Sequence, residues 1–309
     1  MPIILYMTTT PPYLKKGDTI GITCPSGYLA ASNVKDCIST LQHWGYEVMV
    51  GKTVGSDSKN YFSASDEDKI AELQAMLDDP SIDAILFGRG GYGMTRIIDK
   101  LNFSRFKKYP KWLIGFSDIT AMHCHLFSNF QIASIHGSMA SAFKPKSGSV
   151  ENIESLHRVI TGKKIKYNFE SHSLNIKGKS SGKLVGGNLT LLANTIGTRS
   201  EIDTKNNILF IEDIGEYLYS IDRLMYQLKR SGKLKALKGL LIGGFTDMKD
   251  TERPFGKNIY QLIGEAVGEV HYPVCFNFPS SHGKENLALK IGVEYELNVT
   301  AQKTTLKEI

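Results

Sequence analysis

The chain is poor in the features that mark specialised protein classes. Only four cysteines occur in 309 residues, Cys24, Cys37, Cys124 and Cys275, and they lie far apart with no CxxC pair. That scarcity excludes a disulfide scaffold and a cysteine-based zinc site, so reduced, mostly buried thiols are expected. No stretch approaches the ~18 continuous apolar residues of a membrane-spanning helix. The opening MPIILYMTTTPP has a five-residue apolar run with no Lys or Arg before it. It is shorter than the ~7–15-residue apolar segment of a secretory signal, and a cytoplasmic chain with no membrane partner is expected. Tryptophan is nearly absent too, with two in all and none after Trp112. Charge is not strongly one-sided: 37 Lys and Arg face 31 Asp and Glu, a net +6. The basic excess sits in Lys144–Lys183 and Lys229–Lys238, without the interleaved aromatics of a single-strand nucleic-acid groove. A solvated linker and a helix C-terminus account for both, and no nucleic-acid partner is expected.

What is present is an ordinary globular composition, 41% hydrophobic and 22% charged, on a length that corresponds to two domains at ~150 residues each. The first half alternates strand and helix signals. Asp18–Cys24 reads as a strand ending in the turn Pro25-Ser26-Gly27. Ser32 is placed to cap a helix carrying Val34, Ile38 and Leu41 on one face, with Gly45 as its stop. Tyr46–Val54 reads as the next strand. Ser65 and Asp68 form a capping-box pattern before Ile70, Leu73 and Leu77. Ile82–Phe87 and Trp112–Phe116 are continuous apolar runs suited to strands covered on both faces, the second followed by a helix from Asp118 to about Phe127. Gln131–His136 is a further strand candidate. The alternation implies a doubly wound parallel sheet of Rossmann or flavodoxin type, whose ligands collect beyond the carboxyl ends of its strands.

The rhythm changes after Phe143. The expected organisation is an N-terminal α/β domain over 1–145, a basic linker over 146–182, and a smaller strand-rich C-terminal domain over 183–309. In that last part Ile208–Ile211, Leu240–Phe245 and Val274–Phe278 read as strands. Leu289, Ile291, Val293, Tyr295, Leu297 and Val299 alternate as one half-buried strand. Ile221, Leu224, Met225 and Leu228 make an amphipathic helix that Gly232 ends.

Four places are candidates to carry chemistry. Gly88-Arg89-Gly90-Gly91-Tyr92-Gly93 follows a strand and matches GxGxxG. Yet a dinucleotide site also wants an acidic residue about 20 positions on, where Lys107, Lys108 and Lys111 stand instead. Exposed N–H groups on such a loop can hold a phosphate, a carboxylate or an oxyanion. Ser117, at the break of strand into helix in KWLIGFSDIT, is either a helix cap or a nucleophile on a strand-to-helix elbow. Asp118 can take over the capping and leave its own N–H at the usual place of an oxyanion donor. Among eight histidines, His123 and His125 are two apart on one helix and make a poor metal pair. His282 lies in the polar loop Pro279–Asn286, where it is either a surface residue or a base. Glu212 and Asp213 end an apolar strand, either as its exit into solvent or as an orienting acid.

Together these segments resemble the LD-carboxypeptidase family of serine peptidases, which includes the microcin C immunity proteins. The resemblance rests on SASDEDKIAELQAMLDDPSIDAILFGRGGYG, KWLIGFSDIT, SIHGSM, GGNLTLL, FIEDIGEYLYSIDRL and HGKEN, in the family's order. It implies Ser117 as nucleophile, His282 as base and Glu212 as orienting acid, with an oxyanion hole from the N–H groups of Gly91 and Asp118. It also implies release of terminal D-alanine from a murein tetrapeptide, with no metal or other cofactor, and a homodimer. A free carboxylate on the substrate needs a partner, for which Arg89, Gly90 and Arg223 are the substrate-binding candidates; either arginine can instead be a structural ion-pair residue. One departure is visible: Ser281 stands before the histidine where relatives often have glycine. The competing expectations are a microcin-type immunity hydrolase acting on a nucleotide-linked amide, and a non-catalytic nucleotide- or phosphate-binding module. The missing tryptophan platform favours the murein peptide over the first of these.

Overall fold

The computed structural model describes residues 8–143 and 150–309. The N-terminal apolar run and the expected domain boundary at 145/146 therefore lie outside the described residues. Two compact units emerge: residues up to Lys163 together with Leu287–Gly292, and Lys164–Asn286 together with Val293–Ile309.

The first unit runs β1 (Thr19–Thr23), α1 (Lys35–His43), β2 (Glu47–Val50), α2 (Asp66–Asp78), β3 (Ala84–Phe87), α3 (Met94–Ile97), α4 (Ser104–Lys108), β4 (Trp112–Gly115), α5 (Thr120–Phe130), β5 (Ser134–His136) and α6 (Val150–Ile160). The second continues with β6 (Lys166–Glu170), β7 (Gly178–Asn188), α7 (Leu189–Thr195), β8 (Ile208–Ile214), α8 (Leu218–Arg230), β9 (Gly239–Thr246), α9 (Ile259–Val267) and β10 (Val274–Cys275). The chain then passes through β11 (Leu289–Ile291), β12 (Glu294–Val299) and β13 (Lys303–Glu308).

The first sheet has the order β11-β5-β4-β3-β1-β2. Its pairs from β5 to β2 are parallel, and β11 adds antiparallel to β5. Every residue of β3 and β4 is buried, including Ile85, Phe87, Trp112 and Leu113. This explains why their sequences are unbroken apolar runs rather than alternating ones. Fully burying side chains of this size contributes roughly 1.5–3 kcal/mol each. Strand order reverses beside β1, so the turn after β1 and the glycine loop after β3 meet at the sheet's carboxyl edge, where doubly wound folds place ligands. The second sheet, β10-β9-β8-β7-β12-β13-β6, is parallel from β10 to β7 and antiparallel from β7 to β6.

Several local expectations are corrected. Ser32 caps nothing: it lies inside a 3-10 turn, Ala31–Val34, ahead of α1. Ser65 does cap α2, accepting from the Asp68 N–H at 3.1 Å. The alternating run from Leu289 to Val299 is two strands in two sheets, broken at Gly292 (φ 88°). Lys290 is buried in β11, and its ammonium donates to the Tyr13 hydroxyl at 2.9 Å. The stretch expected as a linker contains α6, β6 and the start of β7. All four cysteines are buried, and none forms a disulfide among the described residues.

Candidate active site

In the first unit the nucleophile candidate sits where β4 turns into a 3-10 turn, Ser117–Ile119, that leads into α5. Ser117 has φ 63°, a conformation costly for a residue with a Cβ. This strain and position are those of an elbow that presents a hydroxyl. The capping alternative is not realised: the residue ahead of the turn is Phe116, and no side chain caps there. The turn's first hydrogen bond runs from Ile119 N–H to Phe116 C=O at 3.2 Å, so the N–H groups of Ser117 and Asp118 precede its ladder.

Asp118 does not cap α5 either. Its side chain is fully buried, and Oδ2 accepts from the Ser26 hydroxyl at 2.5 Å and the Met94 N–H at 2.8 Å. Burial raises its carboxyl above the usual range, against the pull of those two donors. Below the elbow, His123 donates Nε2–H to the Gly115 carbonyl at 2.9 Å, and complete burial pushes its imidazole down to about 4. It is a neutral support beneath the strand that leads to Ser117.

The glycine loop packs against this turn. A Cβ on Gly90 would stand 2.9 Å from both Cβ and Oγ of Ser117, so only glycine lets the backbone come so close. Gly91 is exposed, has φ 111°, and would clash with the Tyr61 hydroxyl at 2.7 Å if it carried a Cβ. Arg89 is exposed and donates Nη1–H to the Tyr28 carbonyl at 3.0 Å.

Under the loop, Phe62 lies beneath the cations of Lys69 and Arg96 at 4.7 and 5.2 Å. Asp66 pairs with both, at 2.9 Å to Lys69 and 2.7 Å to Arg96, which hold its carboxyl down at about 2. Sequence reasoning misses Ser26, Tyr61 and this buttress. The turn residues flanking Gly27 are the available signal for Ser26; nothing local marks Tyr61.

The second unit holds the candidates for the acid and the base. His282 Nδ1 lies 2.7 Å from Glu212 Oε2; the carboxylate side chain has no exposure and the imidazole 12%. The two acids ending β8 have separated roles. Asp213 accepts from the Asn188 amide and from the Thr190 N–H and hydroxyl at 2.8–2.9 Å, tying down the start of α7. Glu212 faces the histidine. Burial works against the charged imidazole, but the charge and hydrogen bond of Glu212, with Asp213 further off, hold His282 above its ordinary value. Burial likewise raises Glu212, opposed by His282. The pair thus retains a proton to higher pH than isolated groups would, and Nδ1–H pointing at Glu212 leaves Nε2 as the basic nitrogen.

Ser281 accounts for its own presence. It accepts from the Gly283 N–H at 2.9 Å and donates to the Glu285 carbonyl at 3.1 Å, closing the histidine loop. Its Cβ would lie 2.6 Å from any Cβ on Gly244, so glycine at 244 makes room for it. On α8, Arg223 is exposed and stacks over Tyr219 at 5.3 Å, and Tyr219 stacks on Tyr217 at 5.4 Å. An aromatic surface therefore exists without tryptophan, which removes the weight placed on its absence.

The description of the LD-carboxypeptidase N-terminal domain matches residues 20–137, and that of the C-terminal domain matches 181–297. The chain belongs to the LD-carboxypeptidase family. It is 32% identical to a probable murein peptide carboxypeptidase of Bacillus subtilis over 96% of this chain and 94% of that one. The crystal structure of muramoyltetrapeptide carboxypeptidase from Oxalobacter formigenes superposes with a TM-score of 0.85 at 28% identity, covering 94% of this chain and 98% of that one. The microcin C7 self immunity protein, solved with aspartyl sulfamoyl adenosine, superposes at 0.86 with 22% identity, covering 97% and 98%, a likeness of fold. Among the described residues no helix is long and apolar enough to cross a membrane, and no cluster of three or more His, Cys, Asp or Glu is arranged to hold a metal ion.

Proposed function

We propose that this chain is a serine carboxypeptidase that removes the terminal D-alanine of a murein tetrapeptide by hydrolysing the bond between an L-configured centre and that D-residue. Ser117 is the nucleophile, His282 the base and Glu212 the acid that orients it. The observation that carries this reading is the 2.7 Å pairing of His282 with a carboxylate of no exposure. An ion pair of that kind is costly to bury and serves little purpose unless the imidazole must hold one tautomer and one direction.

In the proposed cycle His282 Nε2 takes the Ser117 proton as Oγ attacks the amide carbonyl. The N–H groups of Gly91 and Asp118 receive the oxyanion. His282 then protonates the departing amine of D-alanine, and a water activated by the same imidazole releases the acyl group. Arg89 is the candidate for the substrate's free carboxylate on the first unit, since its guanidinium is exposed beside the glycine loop. Arg223 is the corresponding candidate on the second. A cytoplasmic enzyme, acting as a homodimer, completes this reading by family resemblance.

A second reading, hydrolysis of an amide joining an aminoacyl group to a nucleotide, draws support from the exposed Tyr217–Tyr219 pair, which offers a flat surface to a base. Incubating the purified chain with murein tetrapeptide, and separately with an aminoacyl sulfamoyl nucleoside, decides between them by mass spectrometry. D-Alanine and tripeptide are the expected products, and Ser117→Ala is expected to form neither. Release of D-alanine by Ser117→Ala at the unsubstituted rate would overturn the mechanism.

A further inference from the structure

We infer that the Asp118 side chain, with the Ser26 hydroxyl, is a positioning device that sets the spacing between the two oxyanion donors. The inference rests on the assignment of the Gly91 and Asp118 N–H groups to that role.

The donors sit on different loops, one after β3 and one after β4. The β3–β4 ladder ends at Leu86 and Ile114, several residues short of either. Beyond it, the relative placement of the two loops must come from other bonds. Asp118 Oδ2 supplies them. It reaches across to the Met94 N–H, three residues past Gly91, and takes the Ser26 hydroxyl from the turn after β1. That turn closes the circuit, because the Gly27 N–H donates to the Gly90 carbonyl at 3.2 Å. One carboxylate oxygen therefore ties the nucleophile turn to both ends of the glycine loop.

All of this is dry. Asp118 and Ser26 have no exposed surface, and among the described residues Asp118 Oδ1 has no hydrogen-bond partner. A carboxylate buried with one oxygen unused is an expensive way to cap α3, a helix of four residues. It is a sound way to hold two amides in place, since an oxyanion hole works only with donors about 2.7–3.1 Å from the developing charge.

The test compares Ser26→Ala, Asp118→Asn and the double variant in D-alanine release, with thermal unfolding alongside. Misplacing a reacting group by about 1 Å costs ~10² in rate. Each single variant is expected to lose about tenfold to a hundredfold in kcat, with KM within about twofold, because the donors act on the transition state and not on the bound peptide. Ser26→Ala is small enough to keep the fold. If the bonds form one circuit, the double variant is no slower than the slower single. Wild-type kcat in Ser26→Ala, a loss expressed in KM, or multiplying single effects would each overturn the positioning role. An inert Ser117→Ala protein alongside such a result removes this inference alone. A Ser117→Ala protein that still releases D-alanine removes the underlying reading with it.

Discussion

Gly90→Ala is a perturbation whose size can be worked out beforehand. The added methyl would lie 2.9 Å from Ser117 Cβ and 2.9 Å from Oγ. Carbon atoms in contact rest ~3.5–4.0 Å apart, so the loop and the elbow must part by about 0.6 Å or more. The elbow has little freedom to yield. Ser117 is already at φ 63°, and Gly115 behind it has Ile119 only 2.9 Å from where its own Cβ would be. The displacement therefore falls on the distance between the Ser117 hydroxyl and the loop bearing the Gly91 N–H. Catalytic groups tolerate about 0.5 Å of error. A loss of ~10² in kcat/KM for D-alanine release follows. Overpacking also costs roughly 1–3 kcal/mol of stability, so unfolding is measured on the same preparation. Gly264→Ala on α9 is the control: a Cβ there meets nothing within 4 Å. It is expected to stabilise by about 0.5–1 kcal/mol at full activity. A Gly90→Ala enzyme with unchanged kcat/KM would refute the packing argument, because the methyl would then have been accommodated without moving the hydroxyl.

Glu212→Gln probes the proposed base, His282. His282 must be neutral to accept a proton, so activity rises with pH through its raised pKa, and the inflection in kcat/KM lies above the ordinary ~6.5. Removing the carboxylate leaves burial, which acts the other way; the inflection should move to lower pH while kcat falls by ~10⁴, as in other triads that lose the acid. An unmoved inflection would show that Glu212 does not set it. Asp66→Asn leaves the fully buried Lys69 without its anion and is expected to cost about 2–3 kcal/mol in chemical denaturation, part of the pair being exposed. Because Asp66 is depressed to about 2, its contribution is present above the usual carboxylate range and is lost as pH falls toward that value. The difference between the two proteins should therefore shrink in acid, and a constant difference would argue against the pair.

How much of the fold is legible in the sequence depends on whether the cause is local. Buried parallel strands must be apolar throughout, so Ile82–Phe87 and Trp112–Phe116 stand out from their residue types alone. Ser65 and Asp68 carry a cap within one turn of chain. Apart from β12, the strands of the antiparallel half of the second sheet do not stand out. β6 alternates exposed with half-buried residues along Lys166–Glu170 and is held by its register with β13, Lys303 against Glu170, which no local window contains. Lys166 and the lysines just before it read as a solvated linker for that reason.

Likewise the alternation from Leu289 to Val299 is real in β12 and misleading before it. Gly292 sends the preceding three residues into another sheet, where all of them are buried. At the site, the residues proposed to do the chemistry are legible by type and order. The residues that hold them in place are not: Ser26 and Asp118 are 92 positions apart, and only folding gives the serine a carboxylate to serve. Support of this kind leaves no spacing rule behind, because any chain that brings two loops together can choose different side chains to fasten them.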